Sequence, residues 1–346
     1  MARLDAFLQL GCAQGCSDIH LAMGVPPMLR MHGDLLPVKY RDLDVDELTG
    51  LLCEIVTESQ WEAFQSGNDL DFAYAPAGIG RFRVNLFRKT QGIGATFRVI
   101  PAQVPVLESL GLPPVVQRLT QVHQGMVLVT GATGTGKSTT LAAMVDHLNS
   151  TRKFHIITLE DPIEYLHTSK MSLVVQREVG THVGSFAEGL RAALRQDPDV
   201  ILVGELRDAE TIALALTAAE TGHLVLGTLH TTSATKTLER IIDATPLEQK
   251  AQVTSVLAQV LHGVVSQTLV KTADGRGRKA MVEVLVMTPA IANLLTSDKI
   301  FQIPMKLETG RALGMQLLDQ ALFEAVQSKQ IDPDDAYVRA QDKKPF

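Results

Sequence analysis

The chain has 346 residues, 45 % of them apolar and 20 % charged, with 26 Gly and 15 Pro. That composition excludes disorder, collagen and coiled coil for the chain as a whole, and the length predicts more than one domain. A formal net charge of −6 excludes a surface that grips nucleic acid all round and leaves room only for a local basic patch.

The predicted elements begin with a first domain over residues 1–99. Leu48, Leu51, Leu52, Ile55 and Val56 form a helical stripe within residues 42–66. Phe82, Val84 and Leu86 alternate with Arg81, Arg83 and Asn85 as a half-buried strand should, and residues 95–100 read as its neighbour. The expectation is a small α+β module. Residues 72–107 hold no Asp or Glu, yet Arg81, Arg83, Arg88, Lys89 and Arg98 fall there. Arg81 and Arg83 share one strand face and Arg88 takes the other, and with no acid nearby the arginines are expected to lack local partners. Three readings stand open: a nucleic-acid groove with Phe82 and Phe87 as stacking platforms, arginine fingers offered to a nucleotide, or a solvated basic face. The acidic overall charge and the short linker that follows favour the fingers.

Pro101, Pro105, Pro113 and Pro114 mark residues 100–114 as an interdomain linker. The second domain, residues 115–346, alternates short apolar strands with helical stretches, the pattern of an α/β sheet with helical crossovers. Strands are expected at residues 126–130, 155–159, 200–203 and 224–229. Asp208 can cap a helix running through Ile212, Leu214 and Leu216, ended by Gly222. Ser185 and Glu188 have capping-box spacing, and residues 281–287 read as core. Cys12, Cys16 and Cys53 form no CxxC, which predicts a reduced cytosolic protein without disulfides or zinc. No run of 18 apolar residues occurs, and residues 1–10 lack a signal-peptide layout, so no membrane span is expected.

The strongest signal is Gly131-Ala132-Thr133-Gly134-Thr135-Gly136-Lys137-Ser138, which fits GxxxxGK[ST] in full, between an apolar strand and a helix. Glycines let such a loop curl so that successive N–H groups point at phosphate, and the helix N-terminus adds its positive end. Gly131, Thr133, Gly134, Thr135, Gly136, Lys137, Ser138 and Thr139 are the expected nucleotide-binding set. Lys137 reaches the β- and γ-phosphates, and the Ser138 hydroxyl ligates Mg2+. Glu205 follows the strand at 200–203 and is expected to hold Mg2+ through a water, with Gly204 where an Asp is usual. Glu160, Asp161 and Glu164 follow another strand end; Glu164 is the expected base because Pro162 turns the chain back, and by spacing alone a solvated acidic turn is an equal reading. His230 ends a strand on the ligand side and is as fit to sense the γ-phosphate as to be structural. For His223, spacing favours a structural histidine.

Together these residues resemble the secretion-type ATPase superfamily, and within it the retraction ATPases of type IV pili. The resemblance runs along essentially the whole chain. It is carried by residues 16–21 with Pro26-Pro27, by the arginine strand from Gly80 to Asn85, and by Glu160 to Glu164 as an Asp box. Gly204-Glu205-Leu206-Arg207-Asp208 stands as an atypical Walker B, and the stretch from Thr221 to Thr232 as a His box. The resemblance implies a RecA-like P-loop ATPase domain with a helical C-terminal portion and a smaller PAS-like N-terminal α+β domain. It also implies a ring-forming homohexamer that uses ATP and Mg2+, with ATP between the two domains.

By the same resemblance Glu160, Asp161 and His223 join the nucleotide-binding set, and Glu164, Glu205, His230, Arg81, Arg83, Arg88 and Arg98 the catalytic set. The implied partner is an inner-membrane pilus platform protein, with no nucleic acid. The implied location is cytoplasmic, peripheral at the inner-membrane base of the pilus machine. The retraction signature Ala-Ile-Arg-Asn-Leu-Ile-Arg appears here as Ala290-Ile291-Ala292-Asn293-Leu294-Leu295-Thr296, without its arginines, and its Gln-Thr-Gly as Glu308-Thr309-Gly310. A paralogous pilus or secretion ATPase with an assembly or accessory role, and less so a nucleic-acid translocase, remain open alternatives.

Overall fold

The computed structural model describes residues 2–31, 34–101, 103–275 and 277–344. It divides into two compact units, Met1–Gln103 with Pro162–Leu166, and Val104–Asp161 with His167–Phe346.

In the first unit six strands form one antiparallel sheet: β1 (Asp18–Ala22), β2 (Met28–Met31), β3 (Asp34–Pro37), β4 (Leu70–Tyr74), β5 (Arg81–Lys89) and β6 (Gly92–Ile100). Their order is β3-β2-β1-β6-β5-β4. Alternation decides the faces. Phe82, Val84 and Leu86 of β5, Phe97 of β6 and Ile19 of β1 bury one face together with Leu8, Leu48, Leu52 and Phe64 from three helices. Phe82 is 0 % exposed, so it is a core residue and no stacking platform. The single helical stripe expected within 42–66 is two helices, Val45–Cys53 and Glu58–Gln65. Thr57 breaks the run because it caps the second helix: its hydroxyl accepts from the Gln60 N–H, and Gln60 returns a bond to the Thr57 N–H.

Among the described residues the second unit holds seven strands: β7 (Gly125–Thr130), β8 (His155–Glu160), β9 (Leu173–Glu178), β10 (Val200–Val203), β11 (Leu224–Leu229), β12 (Leu261–Lys271) and β13 (Arg278–Val286). The order is β13-β12-β7-β11-β10-β8-β9, parallel except for β13, which runs antiparallel to β12. Every residue of β7 and β11 is buried, as strands covered on both faces require. Met126 and Leu128 of β7 pack with the helices at Ala209–Glu220 and Ala234–Asp243. Val127 and Val129 pack on the other side with the helix at Lys137–Thr151. Asp208 accepts from the Thr211 N–H and caps its helix as expected.

The linker expected at 100–114 is shorter in the structure. Ala102 lies outside the described residues, and Leu107, Leu110 and Leu112 already pack in the core of the second unit beside Leu141 and Leu148. Their apolar side chains outweigh the flanking prolines. The C-terminal portion adds helices at Pro289–Thr296, Ile303–Thr309, Leu318–Gln327 and Pro333–Arg339. Met281 is buried in β13. Among the described residues no helix is long and apolar enough to cross a membrane.

Candidate nucleotide-binding and hydrolysis site

The loop between β7 and its following helix builds the site. Gly131, Gly134 and Gly136 have φ of 141°, 78° and 88°, values that side chains rarely adopt, so glycine is required for this curl. Gly136 caps the helix, and Lys137 and Ser138 open it, which places unsatisfied N–H groups and the positive helix end at the loop. Lys137 is 8 % exposed and donates from Nζ to the carbonyls of Gly131 (2.9 Å) and Ala132 (3.0 Å). Thr135 Oγ1 donates to the Ala132 carbonyl at 2.8 Å. The ammonium is thus already aimed across the loop, with Thr133 and Thr139 at its tip and its helical end.

Parallel register brings three more groups to this edge. Leu229 pairs with Thr130, and Val203 pairs with Leu159 and Gly227, so Gly131, Gly204, Glu205, Glu160 and His230 all lie at the C-terminal ends of the strands. Gly204 has a steric reason to replace an acid, since a Cβ there would come within 3.0 Å of the Leu159 carbonyl oxygen. The next residue carries the charge. Glu205 Oε2 accepts from Arg207 Nη2 at 2.7 Å, and Oε1 lies 3.2 Å from His230 Nε2. Burial pushes the Glu205 carboxyl up, but Arg207 and His230 outweigh it and hold the group below the ordinary value.

Arg207 belongs to this cluster and was not singled out from the sequence. Its hydrogen bond to Glu205 raises its own value, aided by the charge of Asp161. The signal lies in the spacing, an acid and a base two residues apart directly after an apolar strand. Glu160 Oε1 accepts from Thr158 Oγ1 (2.7 Å) and Gln176 Nε2 (3.0 Å), while Asp161 is exposed.

The structure separates His223 from these residues. It precedes β11, its carbonyl accepts from the Gly125 N–H at the start of β7, and its Nδ1 lies 2.9 Å from the Ala218 carbonyl. A six-residue strand, roughly 20 Å of chain, stands between it and His230. The expectation that His223 joins the nucleotide ligands of its own chain is corrected, because the strand carries it to the opposite sheet edge.

Two further corrections concern the arginines. They are not without local partners: antiparallel neighbours supply the acids missing from the sequence stretch. Arg83 Nε lies 3.3 Å from Asp71 Oδ1 of β4, and Arg98 Nε lies 3.0 Å from Asp18 Oδ1 of β1. Arg83 and Arg98 sit opposite each other in register and share the outer face with Arg81. Arg88 falls on the other face. Its Nη2 donates to the carbonyls of Phe64 (2.7 Å) and Gln65 (3.0 Å), and its guanidinium lies 4.9 Å from the Phe64 ring centre. That is the end of a helix, and Arg88 holds it.

Glu164 lies in Pro162–Leu166, which packs as part of the first unit. Arg81 Nε donates to the Ile163 carbonyl at 3.2 Å. Ile163 and Tyr165 are buried and Glu164 between them is half-buried, so its side chain alternates away from theirs.

A glycine-curled loop on a parallel sheet, with an anionic carboxylate and an imidazole at the neighbouring strand ends, defines a P-loop nucleotide-binding protein. Residues 81–306 match the model of the type II/IV secretion system protein family. The chain is 49 % identical to the type IV pilus retractation ATPase PilT of Pseudomonas aeruginosa, over 97 % of this chain and 98 % of that one. It is 40 % identical to the type IV pilus ATPase PilU of the same organism, over 97 % and 88 %. A crystal structure of the pilus retraction motor PilT with bound ADP superimposes with a TM-score of 0.91 at 41 % identity, covering 100 % of this chain and 99 % of that one. The chain belongs to the type II/IV secretion system protein family.

Proposed function

We propose that this chain is a motor ATPase that hydrolyses ATP, as a homohexameric ring, to withdraw type IV pili and so drive twitching motility. One observation carries the reading. The phosphate loop, Glu205 and His230 emerge from one sheet edge in a chain that matches a named retraction ATPase along 97 % of its length. Lys137 and the loop N–H groups bind the phosphates, aided by Thr133, Thr135 and Thr139. Glu164 takes the proton of the attacking water, with Glu160 and Asp161 orienting that water. His230 senses the γ-phosphate with the ring N–H that here faces Glu205, and Arg81, Arg83 and Arg98 supply positive charge.

The donors fit a hard divalent cation. The Ser138 hydroxyl and the Glu205 carboxylate, held anionic by its neighbours, are the oxygen ligands that Mg2+ takes, and when bound it would neutralise phosphate charge. The reading includes an inner-membrane platform protein as the load and a cytoplasmic position at the pilus base.

One observation favours a second reading. Ala292 and Thr296 stand where the retraction signature carries arginines, which fits a paralogue with an accessory or assembly role. The nucleic-acid reading loses one of its two stacking platforms with the burial of Phe82, and the other, Phe87, is half-buried. The test is deletion of the gene in its host, a count of surface pili, and restoration with wild-type and Lys137→Ala copies. Excess pili and lost surface motility, rescued by wild type alone, are expected. Bald cells would mean an assembly motor, and unchanged piliation would remove the retraction assignment.

A further inference from the structure

The phosphate loop is wound round a residue that its motif does not contain. Gln267 lies in β12, which runs parallel to β7 with Ser266 in register with Thr130. Its backbone therefore passes beside Gly131, the first residue of the loop. A Cβ on Gly131 would stand 2.3 Å from the Gln267 carbonyl oxygen, and one on Gly136 would stand 2.8 Å from Gln267 Nε2. Two of the three loop glycines thus leave room for this one residue.

The amide is 5 % exposed and uses both ends. Nε2 donates to the Thr135 carbonyl at 2.7 Å, and Oε1 accepts from Thr140 Oγ1 at 2.8 Å. The orientation is forced, because a carbonyl can only accept and the amide must therefore turn its NH2 toward Thr135. Thr140 is itself buried in the first turn of the helix.

We infer that Gln267 is a positioning residue that sets the phosphate loop for nucleotide before nucleotide arrives. The inference rests on the reading that this loop takes ATP. In a planar trans peptide the C=O and the following N–H point in opposite directions. Holding the Thr135 carbonyl against Gln267 therefore aims the Gly136 N–H the other way, toward the concave side of the loop. Without the amide, that peptide is free to flip and would present a carbonyl to the phosphates in place of a donor. Thr140 ties the same amide to the helix, so loop and helix end move as one piece.

The test uses the full chain with Gln267→Met, which keeps the side chain's length and loses both hydrogen bonds. The dissociation constants of a fluorescent ADP analogue and of ATP are expected to rise about tenfold, the loss of a buried hydrogen-bonding partner. kcat at saturation is expected to change less than about threefold, since the loop still closes on bound phosphate. Peptides spanning residues 131–140 are expected to exchange backbone hydrogen faster in the nucleotide-free variant. Thr140→Val should weaken binding alone and add nothing on top of Gln267→Met. If Gln267→Met does not fold, Thr140→Val carries the same readouts. Wild-type affinity together with unchanged loop exchange overturns the inference. Wild-type protein that binds no nucleotide sinks the functional reading instead, and loop exchange still decides whether Gln267 sets the loop.

Discussion

Arg88 separates two physical pictures of the arginine strand, and its substitution by alanine can be worked through. The guanidinium makes two hydrogen bonds to carbonyls at the end of the helix Glu58–Gln65, and it covers the Phe64 ring. Because Arg88 is exposed, the two charged hydrogen bonds contribute at the low end, about 1 kcal/mol together. The helix-end charge adds about 0.5 kcal/mol and the ring contact about 0.5 kcal/mol. Arg88→Ala should therefore destabilise the first unit by about 2 kcal/mol, which in a unit of this size lowers its melting temperature by about 10 °C. Arg88→Lys keeps the charge but not the fork and should recover about half. Calorimetry on the whole chain reads the first unit's transition, and steady-state turnover at 25 °C should stay within about twofold of wild type. An unchanged melting temperature with turnover down more than about tenfold would refute this reasoning and return Arg88 to the phosphates.

Lys137→Ala should lower kcat/KM by about a thousandfold, and Glu164→Gln should lower kcat by about a hundredfold with little change in KM; full turnover in Glu164→Gln would remove it as the base. The Glu205 carboxyl sits below its ordinary value of 4.5 in the folded chain, so the stability from its pairing is present above that value and is lost as pH falls through the folded value. Arg207→Ala should flatten the slope of unfolding free energy as pH falls below about 4.5, and equal slopes would show that Arg207 does not hold the carboxylate. Phe82→Ala should cost about 3–5 kcal/mol in urea unfolding and Phe87→Ala clearly less, whereas equal losses would contradict the assignment of faces in β5.

Much of the site was legible because local chemistry fixes it. The phosphate loop needs its glycines, lysine and serine in one unbroken run, and the short apolar strands β7, β8, β10 and β11 are set by burial on both faces. The rest depends on pairing that no local pattern shows. Asp18 and Asp71 are far from Arg98 and Arg83 in sequence and adjacent only across the sheet. Strand β12 carries Ser266 and Gln267 in its buried middle, and β13 carries Glu283, so neither reads as a plain apolar strand. Those polar residues are there for partners elsewhere in the fold: Gln267 bonds Thr135 and Thr140, and Glu283 accepts from the Ala234 N–H that follows the His230 loop. His223 was misplaced for the converse reason. A motif names residues in order, whereas a strand inside it sends its two ends to opposite edges of a sheet.

The pairing of Glu205 constrains how it can serve a metal. Both carboxylate oxygens are engaged, one by Arg207 and one by His230. For Nε2 to donate to Oε1 the imidazole must carry its proton there, which leaves Nδ1 as the acceptor in the neutral ring. Each carboxylate oxygen has a second acceptor site, so a metal-bound water on Glu205 must either share an oxygen with its present partner or displace that partner. Arg207 forms the shorter contact and carries a permanent charge, so His230 is the partner expected to let go. The consequence is observable without turnover. Adding Mg2+ to the ADP-bound chain should shift the His230 imidazole resonances, identified by their absence in His230→Gln, and ADP with a chelator should not. ADP is the right ligand because it has no γ-phosphate for the imidazole to meet directly. Identical His230 resonances with and without Mg2+ would mean that Glu205 keeps both partners and that His230 does not let go.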